Sequence, residues 1–279
     1  MKQYTTSKAI RSELEQLRKN SATVGFVPTM GALHQGHLAL IKRARAENKF
    51  VVCSIFVNPL QFNRQEDLKS YPNRMEQDKK MLESVNCDYL FTPSKEDLYA
   101  KAPNLDFEFG SLGVGMEAEY RPGHFEGVAA VIDRFLDVLQ PDRAYFGEKD
   151  YQQLAIVKWL VEQKDSNTEI VGCETERFPN GLAMSSRNYN LKEAEFEQAS
   201  EIYKLMQYCK RHLHQKTPQE LSTYSFEKLK EDFKPEYFTI VDEETLKPIQ
   251  SWSDTAKPRV FVAAYLSSVR LIDNMSLID

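Results

Sequence analysis

The chain has few cysteines, no surplus of positive charge and no long apolar run, and each shortage removes a class of function. Its four cysteines, Cys53, Cys87, Cys173 and Cys209, are widely separated. They form no C-x-x-C pair and no Cys/His spacing of the zinc-holding kind, so they read as reduced, mostly buried thiols. Lys and Arg number 36 against 41 Asp and Glu, a formal net charge of -5, so no overall positive field exists to hold DNA or tRNA. No stretch reaches the roughly 18 apolar residues that span a bilayer. The N-terminal segment places Ile10, Leu14 and Leu17 on one helix face among charges and lacks the continuous apolar core of a secretion signal. Neither nucleic acid nor membrane is expected as a partner, and a cytoplasmic location follows by elimination. Familiar phosphate-binding signatures are scarce too. There is no Walker-type G-x-x-x-x-G-K-[ST], and the lone G-x-G-x-x-A at 113–118 has no clear helix after it because Pro122 interrupts.

What is present is a globular pattern. A hydrophobic content of 42% over 279 residues supports a substantial core. From residue 23 to about 173, short β-rich runs alternate with helical patterns, as a doubly wound parallel sheet requires. The runs at 23–27, 50–57, 88–91, 143–146 and 169–171 are the expected strands. Val128, Val131, Ile132, Phe135, Leu136 and Leu139 recur on one helix face that is expected to pack on the sheet. After Arg187 the texture changes to charged helical stretches at 191–215 and 218–232, then β-rich runs at 237–241, 259–266 and 269–272. The fold class is therefore α/β, a Rossmann-like doubly wound parallel sheet at 1–175 with a smaller α+β C-terminal domain at 176–279 covering the site. No internal repeat, low-complexity tract or Gly/Ser-rich linker is evident.

The most informative segment is Pro28-Thr29-Met30-Gly31-Ala32-Leu33-His34-Gln35-Gly36-His37, which leaves a strand and enters a helical pattern. Two histidines three apart at such a turn can set two imidazoles and a helix N-terminus beside one phosphate group. The first helical N–H groups lack partners of their own. Phosphoryl and nucleotidyl transfer gain most of their rate from donors aimed at the charge on the phosphoryl oxygens. Taken alone, an H-x-x-H is more often an ordinary pair of surface histidines. Pro28, Gly31 and Gly36, turn formers at the carboxyl end of a strand where open α/β sheets bind ligands, favour the functional reading.

Three further segments sit at similar places. Asn58-Pro59-Leu60-Gln61-Phe62 follows the most apolar strand, and Gln61 offers both an acceptor and a donor to a hydroxy acid. Gly147-Glu148-Lys149-Asp150-Tyr151-Gln152-Gln153 opens another helix, where a lysine opposed by the helix dipole makes sense beside an anion. Gly181-Leu182-Ala183-Met184-Ser185-Ser186-Arg187-Asn188 puts two hydroxyls and a guanidinium in a row, suited to a polyphosphate. Each has a bland alternative: a turn glutamine, a solvated charged turn, a surface serine loop.

These four segments in this order resemble the pantothenate synthetase (pantoate–β-alanine ligase) family of the nucleotidylyltransferase superfamily, whose signature is H-x-G-H. Tyr71-Pro72, the stretch Arg121-Pro122-Gly123-His124-Phe125-Glu126-Gly127-Val128, and Gln140-Pro141-Asp142 are similar to that family as well. The resemblance is strong over about the first 190 residues and looser beyond. It implies an AMP-forming ligase that condenses (R)-pantoate with β-alanine using ATP and Mg²⁺, through pantoyl adenylate, with release of pyrophosphate. It also implies a homodimer. On the same ground Met30, Gly31, Ala32, Leu33, His34, Gln35, Gly36 and His37 are expected to line the ATP site, His34 and His37 on the phosphates and His37 as proton donor. Gly147, Glu148, Lys149 and Asp150, with Met184, Ser185, Ser186 and Arg187, are expected to complete it. His34, His37, Lys149, Ser185, Ser186 and Arg187 would be the catalytic set. Gln61 and Gln153 are expected to hold pantoate, Gln61 to border β-alanine, and Asp78 to belong to the magnesium environment. Glu176 stands where relatives often carry a small apolar residue next to adenine, a departure that backbone contact would make harmless.

Two other readings remain open on the sequence. A nucleotidylyltransferase acting on a phosphorylated alcohol would leave a product that keeps its nucleotide. A non-catalytic module related to class I aminoacyl-tRNA synthetases would bind RNA, against which the acidic balance argues.

Overall fold

The computed structural model describes residues 1–63, 68 and 71–278. Contacts divide them into two compact units. The first comprises Met1–Phe109, Arg121–Gly147 and Ile156–Glu174. It is built on a six-stranded sheet in the order β1-β4-β3-β2-β5-β6, formed by β1 (Lys2–Tyr4), β2 (Val24–Thr29), β3 (Phe50–Ile55), β4 (Tyr89–Phe91), β5 (Arg143–Gly147) and β6 (Glu169–Cys173). All its pairings are parallel. Helices α1 (Ser7–Arg18), α2 (Gln35–Glu47), α3 (Met75–Ser84), α4 (His124–Leu139) and α5 (Tyr151–Gln163) supply the crossovers. The α/β, doubly wound reading holds. The chain steps outward from β2 through β3 to β4, then returns to set β5 on the other side of β2. The order therefore reverses between β2 and β5, and a crevice at their carboxyl ends is where such sheets take ligands.

The strand residues explain the sheet. Val24, Phe26, Val27, Val51, Val52 and Cys53 are fully buried, as parallel strands covered on both faces require. The α4 face foreseen from its periodicity packs on this sheet, with the Phe135 ring 5.2 Å from Phe26 and 6.1 Å from Phe91. The β1 strand was not foreseen. Its three residues are mostly exposed and carry no alternation to read.

The second unit comprises Gly110–Tyr120, Glu148–Ala155 and Thr175–Asp279. Its sheet is antiparallel in the order β7-β8-β9, with β7 (Lys234–Asp242), β8 (Pro258–Leu266) and β9 (Val269–Ser276). One face carries α6 (Glu201–Arg211) and α7 (Pro218–Leu229) over Val260, Val262, Ala264 and Leu271. The other face, with Val241 and Phe261, is covered by Met116, Tyr151 and Ala155. That apolar cluster is the physical reason why two segments earlier than residue 176 pack with this unit. The Gly-rich stretch at 113–118 does form a short helix, Met116–Tyr120. It is tied down by a bidentate Arg270–Glu117 pair at 2.8 and 2.6 Å and by the Tyr237 hydroxyl donating to Glu117. The helical stretch expected at 191–215 is broken into Glu193–Gln198 and Glu201–Arg211. Among the described residues, no helix is long and apolar enough to cross a membrane. Cys53, Cys87, Cys173 and Cys209 are all buried, as their spacing implied.

Candidate active site

The loop between β2 and α2 is held by a network of short contacts. The Thr29 hydroxyl donates to the Ser54 carbonyl at 2.7 Å and accepts from Gly31 N–H at 3.2 Å. Gly31 and Ala32 both take positive φ, +83° and +50°, and the chain turns sharply there. Alanine rarely adopts that backbone conformation, so something must hold it. Asp78 on α3 does so. Its two carboxylate oxygens accept from Ala32 N–H at 2.9 Å and Leu33 N–H at 2.8 Å, and the residue is 1% exposed. Asp78 was expected in a magnesium environment, and the structure gives its carboxylate the task of fixing this loop. Among the described residues, no group of three or more His, Cys, Asp and Glu is placed to hold a metal ion.

His34 is the N-cap of α2, and His37 lies in the helix's first turn. Their rings stand 4.0 Å apart, centroid to centroid, and both are half-buried. The His34 backbone N–H donates to Nδ1 of His37 at 3.3 Å. A neutral His37 that accepts at Nδ1 carries its proton on Nε2. The ring therefore presents a donor on the side away from the backbone.

Gln61 lies beside this loop, in a 3-10 turn, Pro59–Gln61, that follows β3. Its amide nitrogen reaches the Met30 sulfur at 3.0 Å. Three residues not foreseen as functional hold the turn. The Asn58 side-chain amide donates to the Gly127 carbonyl at 2.9 Å and to Gln61 Oε1 at 3.3 Å, while its Oδ1 accepts from the Tyr99 hydroxyl at 2.9 Å. Burial raises the Tyr99 phenol above its ordinary pKa and keeps it a donor. His124, 5% exposed, joins Arg121 at Nε2 (2.9 Å) and the Gln61 carbonyl at Nδ1 (2.8 Å). An arginine only donates, so Nε2 accepts and the Nδ1 proton points to Gln61. Gly127 is the third: a Cβ there would meet the Leu60 carbonyl oxygen at 2.3 Å and the Gln61 nitrogen at 2.5 Å. A glycine inside the helical pattern at 124–139 was the available signal.

In the second unit, Glu148–Asp150 form a 3-10 turn at the head of α5. The Lys149 ammonium stands 3.6 Å from Asp150. Asn274 on β9 donates from its amide nitrogen to the Glu148 and Lys149 carbonyls, each at 2.8 Å. Gln152 is 2% exposed and bonded inward to Glu117 N–H and the Leu112 carbonyl, whereas Gln153 is half-buried. Ser185 caps a short turn, Ser186–Asn190, accepting Arg187 N–H at its hydroxyl at 3.2 Å. Its own N–H donates to Asn188 Oδ1 at 2.5 Å. Glu176 is exposed, and its carbonyl accepts Met184 N–H at 2.9 Å. Backbone, not carboxylate, is therefore what Glu176 contributes to this local fold.

Within the first unit the structure brings together Met30, Gly31, Ala32, Leu33, His34, Gln35, Gly36 and His37 with Gln61 and Asp78. Gly147 ends β5, the neighbour of β2. The second unit carries Glu148, Lys149, Asp150, Gln153, Glu176, Met184, Ser185, Ser186 and Arg187. The first unit thus presents ring and backbone donors with the Gln61 amide, and the second an ammonium, hydroxyls, a guanidinium and the Gln153 amide.

Comparison with known proteins bears on what this set does. The sequence model of the family described as pantoate-beta-alanine ligase matches residues 2–276. The pantothenate synthetase of Cytophaga hutchinsonii is 41% identical over 278 residues, covering 98% of each chain. The crystal structure of pantothenate synthetase from Thermus thermophilus superposes with a TM-score of 0.92 at 41% identity, covering 100% of both chains. The pantoate-beta-alanine ligase of Francisella tularensis, solved in complex with beta-gamma ATP and beta-alanine, matches with a TM-score of 0.80 at 36% identity over 99% of this chain and 98% of that one.

Proposed function

Because this chain belongs to the pantoate–β-alanine ligase family, we propose that the residues just described carry out its reaction. It condenses (R)-pantoate with β-alanine, consuming ATP and giving pantothenate, AMP and pyrophosphate. A carboxylate is a poor electrophile and its oxygen a poor leaving group, and adenylation removes both faults. A pantoate carboxylate oxygen bonds to the α-phosphorus of ATP as the bond to pyrophosphate breaks. The β-alanine amine, deprotonated, then bonds to the acyl carbon of pantoyl adenylate, and AMP leaves with the former carboxylate oxygen.

The observation that carries this reading is the paired imidazoles at the start of α2, above a loop locked by Asp78. His37, with its proton on Nε2, donates to a phosphoryl oxygen where charge builds up, and His34 supports it. A single preorganised donor of this kind contributes about 2.7–4 kcal/mol to the transition state. Lys149, Ser185, Ser186 and Arg187 of the second unit are suited to nucleotide phosphates. Gly147, Glu148, Asp150, Met184 and the backbone of Glu176 serve the ribose and adenine. Gln61 and Gln153 bind the hydroxyls of pantoate, and Gln61 borders the β-alanine position.

Mg²⁺ is expected to accompany ATP. A donor set without a three-residue metal cluster among the described residues fits an ion held chiefly by substrate phosphates and water. When bound it neutralises charge on the leaving pyrophosphate. With both oxygens of Asp78 engaged by backbone N–H groups, that residue's part is to set the loop over which the phosphates lie. A homodimer in the cytoplasm completes the reading.

Product analysis with ATP, pantoate and β-alanine, each omitted in turn, tests it. Turnover to AMP and a nucleotide-free amide is expected only when all three are present, whereas ATP with pantoate alone should release pyrophosphate no further than the amount of enzyme. A product that retains the nucleotide would show a different nucleotidylyltransferase.

A further inference from the structure

We propose that Asn274 is a positioning residue for the adenylation step, acting through Lys149. The inference rests on the reading of Lys149 as a phosphate-binding group and deepens it. A three-residue 3-10 turn has few bonds of its own, so outside donors to its carbonyls help fix its orientation. Here one side chain supplies two such bonds. The Asn274 amide nitrogen donates to the carbonyls of Glu148 and of Lys149, both at 2.8 Å, and the residue is 3% exposed.

Asn274 is itself held on every side. Its Oδ1 accepts from Arg259 at 2.6 Å. Arg259 in turn lies 3.9 Å over the ring of Tyr151, the residue after the turn, and is paired with Glu243 at 2.9 Å and Glu148 at 3.3 Å. Asn274 sits in mid-strand, directly opposite Phe261 of β8. The lysine's backbone thus hangs from a strand that is paired along its whole length, not from a free loop.

The neighbouring residue extends the same bar to the other nucleotide segment. Successive residues of a strand point to opposite faces, and Asp273, 5% exposed, grips Arg177 through two bonds of 2.5 and 3.0 Å. Arg177 begins the stretch that leads through Met184 to the Ser185–Arg187 donors, and it also donates to the Gly181 carbonyl at 3.1 Å. One strand therefore sets both the turn that bears Lys149 and the root of the serine–arginine loop. A lysine ammonium on a four-carbon stem is a mobile charge; fixing its backbone limits where that charge falls.

The test is Asn274→Asp, which keeps the size of the side chain and the acceptor for Arg259 but turns the double donor into a carboxylate facing two carbonyls. Pantoate-dependent exchange between ATP and pyrophosphate is expected to fall at least about tenfold, the scale of a modest misplacement, while the KM for β-alanine stays unchanged. Coupling gives the readout that a general loss of structure would not. Asn274→Asp made on a Lys149→Ala background should slow exchange no further than Lys149→Ala does alone. If Asn274→Asp fails to fold, Asn274→Ala removes the donor without adding repulsion, and the same loss and coupling are expected. A slow Lys149→Ala enzyme beside wild-type exchange in the Asn274 variant overturns the positioning role alone. So do losses that multiply in the double variant. Wild-type exchange in Lys149→Ala overturns the catalytic reading of Lys149 itself, and with it this proposal.

Discussion

Replacing Gly127 by alanine sets two opposing effects against each other, and the structure says which wins. Gly127 is the fourth residue of α4, where alanine is favoured over glycine by about 1 kcal/mol on helix propensity. The added Cβ, however, would stand 2.3 Å from the Leu60 carbonyl oxygen, 2.4 Å from its carbon and 2.5 Å from the Gln61 nitrogen. All three are backbone atoms of the turn that carries Gln61, so no rotamer change relieves the clash. Reaching ordinary contact demands a movement of about 1 Å, and overpacking of this kind costs about 1–3 kcal/mol. The clash should outweigh the propensity by about 1 kcal/mol, lowering Tm by about 2–4 °C in a chain of this size. The larger effect falls on activity. The turn must slide along α4, loosening the Asn58 and His124 bonds that fix Gln61, and a 1 Å misplacement of a substrate-holding group costs about 10²-fold in rate. Thermal unfolding and steady-state kinetics with varied pantoate check both numbers. A raised Tm together with unchanged kcat/KM for pantoate would show that α4 does not position Gln61.

Two further perturbations probe the loop and the buried thiols. Asp78→Ala leaves two buried N–H groups, of Ala32 and Leu33, without their acceptor, at about 1–3 kcal/mol each. A lower Tm and a higher KM for ATP are expected; unchanged values of both would mean that the loop holds its shape unaided. Burial pushes the Cys87 thiol from 9.0 up to about 12 and the Cys209 thiol up to about 11. Below pH 9 both thiols keep their protons whether the chain is folded or unfolded, so they add no pH dependence. Above it the unfolded chain releases protons that the native state retains. Stability then falls by about 1.4 kcal/mol per pH unit for each thiol until the folded value is passed. Denaturant melts from pH 8 to pH 11 on wild type and Cys87→Ala should show a shallower decline in the variant, and parallel curves would contradict the assignment.

The elements legible in the sequence were those whose own residues supply the apolar surface that burial needs. β2 and β3 are near-continuous apolar runs ending at Pro28 and Asn58, and α4 shows its buried face at helical spacing, so local pattern and tertiary environment agree. β1 has three largely exposed residues and no such pattern. The helical stretch after residue 191 keeps its periodicity across Ala199 and Ser200, where the helix nonetheless breaks. The docking of Met116 and Tyr151 against Phe261 depends on residues more than a hundred positions apart, which periodicity does not record. The site divides in the same way. Histidines, lysine and arginine in turns at strand ends announce chemistry by type and place. Asn58, His124 and Asn274 act by bonding to the backbone of other residues, and in a bare sequence an asparagine in a turn or strand looks like any other.

If His37 and Lys149 act on ATP while pantoate is being adenylated, their loss must show before β-alanine enters. Exchange of labelled pyrophosphate into ATP, with pantoate present and β-alanine absent, isolates that step. Wild-type protein should catalyse the exchange, and His37→Ala and Lys149→Ala should each slow it by about 10²-fold or more, the scale of a lost transition-state donor. Exchange at the wild-type rate in both variants would show that neither group serves adenylation, and none in the wild type without β-alanine would show that no adenylate forms before the amine binds.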